Sequence, residues 1–162
     1  MDIALISDTH IPSRASRIPD PFRERIAAAD HVVHAGDFDS EGALSNVRAM
    51  AARLTAVGGN MDPRIGLPDR ATVELGGVTF VVTHGTGSKR GYADRVATVV
   101  REEASAEAVG VAGHTHEVMD ATHGGVRLLN PGSATGAAPA DRATMLTATV
   151  DDGALDVELH EA

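Results

Sequence analysis

Short apolar runs recur along this chain, and five of them end in a motif that carries metal-binding side chains. The motifs are Asp8-Thr9-His10, Gly36-Asp37, Gly58-Gly59-Asn60-Met61-Asp62, Thr83-His84-Gly85 and Gly113-His114-Thr115-His116. Short apolar runs closed by turn-forming residues are typical of buried strands. Ligand sites in open α/β sheets lie beyond the carboxyl ends of strands, so this placement predicts that the five motifs meet at one site.

Strand and helix patterns alternate early in the chain, and strands follow one another near its end. Helices are predicted over 22–29, from an N-cap at Ser40 to Met50, and over 92–104. Strands are predicted over 3–7, 31–35, 54–58, 70–75, 78–83, 108–112, 117–122, 126–129, 143–150 and 154–159. This order predicts an α/β fold of mixed β-sheets with helices outside, in a single domain over residues 1–162.

Composition narrows the function classes. The chain has 162 residues, of which 43% are apolar and only 2% aromatic, and it has no cysteine, which excludes disulfides and thiolate metal sites. A net charge of −9 disfavours stable binding to nucleic acid or an anionic membrane. No signal peptide or membrane span is visible, so a cytoplasmic location is expected, with homo-oligomerisation through the C-terminal strands left open. The chain has thirteen arginines and a single lysine, Lys89. This excess of arginine is typical either of proteins from high-salt organisms or of proteins encoded by GC-rich genomes.

The seven candidate ligands supply two carboxylates, one amide oxygen and four imidazoles. Each motif alone also fits an ordinary turn or a packed histidine, but five such coincidences at five strand ends favour a metal site. This ligand set suits Mn, Fe, Co, Ni or Zn and disfavours Ca or Mg alone. We assign Asp8, His10 and His116 to one metal and Asn60, His84 and His114 to the other. Asp37 would bridge the two, and a hydroxide shared by the metals would attack a phosphate ester.

These motifs resemble those of the calcineurin-like metallophosphoesterases. The resemblance covers residue 3 to about residue 133, and the Ser7-Asp8-Thr9-His10-Ile11-Pro12 opening and Asn130-Pro131-Gly132-Ser133 narrow it to the compact prokaryotic phosphodiesterases, close in fold to the small retromer subunit. It implies a four-layer α/β/β/α sandwich of two mixed β-sheets flanked by helices. It also implies a dinuclear centre, with Mn the favoured metal and Ni active in many members, that acts on small phosphodiesters. Asp37, Asn60, His84 and His114 are the expected catalytic residues.

One position departs from the pattern of many larger family members, which carry a proton-donating His where this chain has Met61. His34, next to the Gly36-Asp37 motif, is a candidate replacement acid, although strand alternation favours a packed histidine there. Asp62 is a candidate to orient Asn60 or a ligand imidazole, or it stabilises the turn before Pro63. Arg14 and Lys89 are candidate phosphate contacts or plain solvated charges.

We therefore predict a metal-dependent phosphodiesterase. A phosphomonoesterase of the same mechanism is the nearest enzymatic alternative. A non-catalytic interaction scaffold like the retromer subunit is the alternative from another functional class.

Overall fold

The computed structural model describes residues 1–162 as ten strands and three helices. In chain order these are β1 (Asp2–Ile6), α1 (Asp20–Ala28), β2 (His31–His34), α2 (Glu41–Met50), β3 (Leu54–Ala56), β4 (Arg70–Leu75), β5 (Val78–Thr83), α3 (Tyr92–Glu103), β6 (Val109–Val111), β7 (Val118–His123), β8 (Val126–Pro131), β9 (Thr144–Asp151) and β10 (Ala154–Glu161). All the predicted elements are present, and their bounds differ from the predictions by a few residues.

The strands form two mixed five-stranded sheets. The first has the order β10-β9-β1-β2-β3, and the second has the order β4-β5-β6-β8-β7. In the first sheet, β1 pairs in parallel with β2 and β2 with β3, while β9 and β10 add antiparallel strands at the other edge. In the second sheet, β5, β6 and β8 are parallel, with antiparallel strands at both edges. The α/β class is therefore confirmed.

Alternating side chains divide the core into three clusters that define four layers. Ile3 and Leu5 of β1 point into a central cluster that also contains Phe80 and Val82 of β5, so the two sheets pack face to face. The opposite face of the first sheet packs against α1 and α2 in a second cluster. The opposite face of the second sheet packs against α3 in a third. The layer order is α/β/β/α, as the resemblance implied.

Local sequence explains where the helices begin. The Ser40 hydroxyl accepts a hydrogen bond from the Ala43 N–H and so caps α2, as predicted. Helix α1 starts at Asp20, two residues before the predicted start, because Pro21 is compatible with the first turn of a helix and does not break it. None of the three helices has the length and apolar character needed to cross a membrane.

Candidate metal centre

The parallel pairing of β1 with β2 places the first two motifs side by side. The Asp8 N–H donates to Gly36 O at 3.0 Å and the His10 N–H donates to Asp37 O at 3.1 Å, so the two loops run together beyond the strand ends. The loop after β5 and the loop after β6 reach the same edge, where the Gly113 N–H donates to His84 O at 3.1 Å. Sheet topology thus brings the motifs together, as their positions at strand ends predicted.

Backbone strain concentrates at these loops. Five of the seven candidate ligands have a positive φ, from 46° at His10 to 73° at His114; the others are Asp8, Asp37 and His116. Such conformations cost roughly 1–3 kcal/mol each for non-glycine residues and persist only where the surroundings impose them. Sequence patterns did not reveal this feature, which is typical of functional sites.

Two glycines allow the backbone to approach the carboxylates closely. A Cβ at Gly59 would lie 2.1 Å from Asp37 Oδ1, and a Cβ at Gly113 would lie 2.6 Å from Asp8 Oδ2 and 2.0 Å from Ser7 Oγ. These distances exclude any side chain, so both motifs need glycine for contact with the carboxylates rather than for turn geometry alone.

The candidate ligands form two groups whose ligand atoms lie within 4.8 Å of one another: Asp8, His10 and His116 in one, and Asp37, His84 and His114 in the other. Asp37 Oδ2 lies 3.1 Å from His84 Nε2 and 3.6 Å from His10 Nε2, so this carboxylate stands between the groups. The structure therefore brings the predicted ligands together in the predicted sets. Asn60 joins the second set, since its Oδ1 is 3.1 Å from His114 Nδ1.

Each carboxylate uses one oxygen for the protein and leaves the other facing the centre. Asp8 Oδ2 accepts hydrogen bonds from Ser7 Oγ at 2.6 Å and the His114 N–H at 3.1 Å. Asp37 Oδ1 accepts from the Met61 N–H at 2.8 Å. The remaining oxygens, Asp8 Oδ1 and Asp37 Oδ2, are the ones nearest to the imidazoles.

All four imidazoles are held in the tautomer that a metal requires. One ring nitrogen of each faces an atom that can only accept: Asp39 Oδ1 for His10, Ala35 O for His84, Gly87 O for His114 and Ala137 O for His116, at 2.7–2.8 Å. That nitrogen must therefore carry the proton. The other nitrogen of each ring presents a lone pair to the centre, as metal-ligating histidines do.

These lone pairs meet one another with no donor between them. His10 Nε2 and His116 Nε2 are 3.2 Å apart in the first group, and His114 Nδ1 and Asn60 Oδ1 are 3.1 Å apart in the second. Two acceptors at this distance repel unless a cation lies between them or one of them binds an extra proton. Asp8 Oδ1 and His84 Nε2 are also buried without a hydrogen-bond partner. The donor set thus fits two cations, one in each group.

A family model of the calcineurin-like phosphoesterase superfamily domain matches residues 1–153 of the chain. The chain belongs to this superfamily. A probable metallophosphoesterase of Methanothermobacter thermautotrophicus is 32% identical over 161 residues, which cover 98% of this chain and 91% of that relative. The recognition made from the sequence motifs is confirmed, and the family is one that binds divalent metals.

Two solved structures illustrate the range of proteins built on this fold. A predicted phosphoesterase of Streptococcus pneumoniae superposes with a TM-score of 0.76 at 26% identity, covering 99% of this chain and 88% of that one. Vps29 of Entamoeba histolytica, solved as a complex with Zn²⁺, superposes with a TM-score of 0.78 at 23% identity, covering 99% of each chain. The similarity to Vps29 shows a shared fold.

Without metal, this calcineurin-like phosphoesterase stabilises its centre with protons. Burial lowers the pKa of His10 and His84, but the neighbouring carboxylates outweigh it and raise the pKa of both rings above the usual value. Burial likewise opposes ionisation of Asp8 and Asp37, yet the imidazoles beside them lower the pKa of both carboxyl groups. Protons and metal ions therefore compete for the same nitrogen lone pairs.

This competition predicts opposite pH dependences for the metal-free and metal-loaded protein. Above about pH 6.5, folded His10 and His84 retain protons that the unfolded chain has lost, so the free energy of unfolding of the metal-free protein should fall as pH rises. Metal affinity should rise over the same range because the ligands must be deprotonated. Urea unfolding in chelator and in saturating Zn²⁺ at several pH values measures both trends. A metal-free protein that becomes more stable with rising pH would contradict this account.

His34 is a packed histidine in this phosphoesterase. Its ring is fully buried and stacks on Phe38 at a centroid distance of 3.6 Å, while its Nδ1 accepts from the Gly36 N–H at 3.1 Å. Nε2 therefore carries the proton and lies 3.2 Å from Thr9 Oγ1. Burial lowers the pKa of His34 to about 3, so the ring stays neutral. These contacts favour packing of His34 behind the Gly36-Asp37 loop, the alternative that strand alternation indicated, over a role as general acid.

Replacing His34 with Gln should reduce stability more than turnover. We expect a loss of about 1–3 kcal/mol in the free energy of unfolding, because buried hydrogen bonds and stacking are disturbed. Turnover should stay within about threefold, whereas loss of a true general acid costs about 10²–10⁴-fold. His31→Gln is the matched control, since His31 lies on the same strand and bonds Thr55 away from the site. A hundredfold loss confined to His34→Gln would restore the acid role.

The structure also places the remaining predicted residues. Asp62 accepts hydrogen bonds from the N–H groups of Asp37, Asp39 and Gly59 at 2.8–3.0 Å, so it shapes the Asp37 loop rather than contacting Asn60 or an imidazole. Arg14 donates to Ala138 O and Lys89 pairs with Glu117. These contacts favour the plainer alternative, solvated surface charges, over phosphate contacts.

Sequence reasoning missed several residues that support the ligands. Asp39 fixes His10, and its sequence position offered no signal because the carboxylate reads as part of an ordinary turn. Asn130 Nδ2 bonds Gly113 O at 3.1 Å and Thr115 Oγ1 at 3.0 Å, while the Tyr92 hydroxyl donates to Gly113 O at 2.6 Å. Together they brace the loop that carries His114 and His116.

Proposed function

We propose that this chain is a metal-dependent phosphodiesterase with a dinuclear centre at Asp8, His10, Asp37, Asn60, His84, His114 and His116. The observation that carries the proposal is the convergence of four imidazole lone pairs and two free carboxylate oxygens on two adjacent points. When bound, a pair of divalent ions acidifies water and neutralises charge on a phosphate ester. Mn is the favoured metal, with Ni, Co, Fe or Zn as alternatives of matching ligand preference.

The chain itself contributes orientation. Asp37 stands between the two imidazole groups, and the Met61 N–H fixes its rotation through Oδ1. His84 and His114 present lone pairs while their other nitrogens donate to backbone carbonyls. Because these groups are already oriented, they need little reorganisation when negative charge develops on a bound phosphate.

The charge of the surroundings favours a diester over a monoester. A diester carries one negative charge at neutral pH, whereas a monoester carries nearly two and calls for further cations. Arg14 and Lys89, the candidate cations, are engaged with Ala138 O and Glu117 instead. Since neither of these side chains is directed at the centre, a singly charged substrate is the better match.

Proton supply favours good leaving groups. Each of the four imidazoles donates its only N–H to a protein acceptor, and Met61 has no proton to give although its side chain is 46% exposed beside Asn60. A missing general acid forgoes about 10²–10⁴-fold in rate, which matters least when the expelled group is already stable as an anion. Aryl diesters should therefore react faster than alkyl diesters.

The test is hydrolysis by chelator-stripped protein with Mn, Ni, Co, Zn and Mg added back singly. Bis-p-nitrophenyl phosphate and p-nitrophenyl phosphate share a leaving group and separate diester from monoester activity. We expect metal-restored turnover with the diester at the higher kcat/KM. Faster monoester turnover would overturn the diester preference, and no turnover with either substrate despite stoichiometric metal binding would favour the scaffold alternative.

A further inference from the structure

A cavity of about 440 Å³ opens directly beside the proposed metal centre. It lies between the loop after β3, the start of β4, the end of β5 and one face of α3. Its wall comprises Gly58, Gly59, Asn60, Asp69, Arg70, Thr83, His84, Gly85, Thr86, Arg95, Val96 and Val99. Asn60 and His84 belong to both the cavity and the centre, so one substituent of a bound diester would enter it. What the cavity binds therefore rests on the proposed phosphodiesterase activity.

Polar and apolar atoms contribute equally to the surface of the cavity wall. Val96 and Val99 of α3 are its two hydrophobic residues. The hydroxyls of Thr83 and Thr86 and the exposed carboxylate of Asp69 are polar groups on the remaining wall. Hydroxyls both donate and accept, while a carboxylate only accepts. The wall therefore suits a ligand that offers several O–H donors and acceptors close together.

The same wall disfavours two other ligand types. It contains no aromatic side chain, so it offers no surface on which a nucleobase could stack. Of its two cations, Arg70 pairs with Glu102 and Glu103. Arg95 donates to the neutral carbonyls of Gly85 and Ser88 and so keeps its charge. The Asp69 carboxylate lies on the same wall, where a second phosphate or a carboxylate on the ligand would meet a like charge.

We propose that this cavity binds an uncharged, polyhydroxylated substituent of the phosphodiester, with the Asp69 carboxylate accepting hydrogen bonds from a vicinal diol. A carboxylate beside a sugar-binding cleft commonly accepts hydrogen bonds from ribose hydroxyls in this way. Glycerol and ribose both present such a diol, and both are small enough for the volume available. The substrate class is therefore a diester in which one alcohol is a polyol.

Matched p-nitrophenyl diesters test the proposal with one leaving group and different retained alcohols. We expect metal-loaded protein to hydrolyse p-nitrophenyl glyceryl phosphate with a kcat/KM about tenfold above that of the propyl ester, which lacks the hydroxyls. Uridine and 2′-deoxyuridine 5′-p-nitrophenyl phosphates distinguish a ribose diol from a glycerol diol. Equal kcat/KM within both pairs would overturn the subsite, while no turnover of any diester would instead contradict the proposed function.

Substitution of Asp69 tests whether this carboxylate recognises the diol. Asp69→Asn should bring the glyceryl-to-propyl ratio of kcat/KM close to one, because the amide has lost one acceptor oxygen. Asp141→Asn is the matched control, since Asp141 is also exposed and lies outside the cavity wall. An unchanged ratio in Asp69→Asn would overturn the role assigned to this carboxylate.

A binding measurement decides the proposal even if catalysis is not observed. In Zn²⁺-loaded protein, glycerol 1-phosphate should shift the methyl NMR signals of Val96 and Val99 at lower concentration than propyl phosphate does. Asp69→Asn should remove this difference. Identical titrations with the two phosphates in the unsubstituted protein would show that the cavity does not recognise hydroxyls.

Discussion

Asp37→Asn is expected to lower the metal-dependent kcat for bis-p-nitrophenyl phosphate by at least about 10³-fold. Loss of a residue that only orients a metal ligand costs about 10–100-fold in metal affinity or activity. Asp37 is itself a proposed ligand of both metals, so its loss should cost more. Its Oδ2 is 3.1 Å from His84 Nε2 and 3.6 Å from His10 Nε2, between the two groups of ligands. Asparagine keeps the shape but removes the charge and replaces one oxygen with a donor.

Shape is the reason for choosing asparagine. Asp37 Oδ1 accepts from the Met61 N–H at 2.8 Å, and the Asn oxygen can keep that bond while its amide nitrogen takes the place of Oδ2. The loop conformation should therefore survive, and the loss should appear in metal content and kcat rather than in folding. Two amide hydrogens would then point at lone pairs that a metal needs.

Metal content and turnover of the same samples separate the possible outcomes. Asp39→Asn, which weakens the support of His10 and the hydrogen bond from Ser13, should cost about 10–100-fold in metal affinity or activity. Asp141→Asn should behave as the unsubstituted protein, since Asp141 is exposed and is neither a proposed ligand nor a side chain that supports one. If Asp37→Asn bound two metals and turned over normally, Asp37 could not be the shared ligand.

The main features of the centre were predictable because they depend on strand ends. A ligand that follows directly on a buried strand, such as His84 after β5, is placed by the strand itself. Parallel pairing of β1 with β2, with Ile6 opposite His34, then aligns the Asp8 and Asp37 loops. Apolar runs and their terminal motifs contain this information, so fold class and ligand grouping could be predicted together.

The support of the ligands could not be predicted because it depends on contacts between loops. Asp39 reaches His10 only through the left-handed backbone at several loop residues, including Asp39 itself. The backbone carbonyls that fix the imidazole tautomers have no side-chain signature at all. For Arg14 and Lys89 the sequence left both alternatives open for the same reason, since a long exposed side chain can turn toward any of several nearby partners.

Chelation is expected to lower the melting temperature by at least about 10 °C. An ion present at a thousand times its Kd stabilises the fold by about 4 kcal/mol, and each kcal/mol shifts the midpoint by about 2–4 °C at this chain length. Removal of two ions bound at this saturation would therefore lower the melting temperature by more than about 10 °C. The structural reason is the group of buried acceptors, Asp8 Oδ1 and His84 Nε2 among them, that have no partner in the protein.

Paired histidine substitutions show whether this shift belongs to the proposed centre. His116→Asn removes the lone pair that faces His10 Nε2 at 3.2 Å and should lose a large part of the metal-induced stabilisation. His123→Asn is the matched control, since that ring is exposed on β7 and pairs with Asp94 instead. The control should keep the whole shift.

The comparison is made by calorimetry on stripped and reloaded protein, with metal content measured on each sample. Protein purified without added metal can retain ions, so the stripped sample must be shown to be empty before its melting curve is interpreted. Identical curves for the empty and loaded protein would mean that the facing lone pairs are already satisfied by protons. The two groups of ligands would then be a polar cluster rather than a metal site, and the phosphodiesterase proposal would lose its main support.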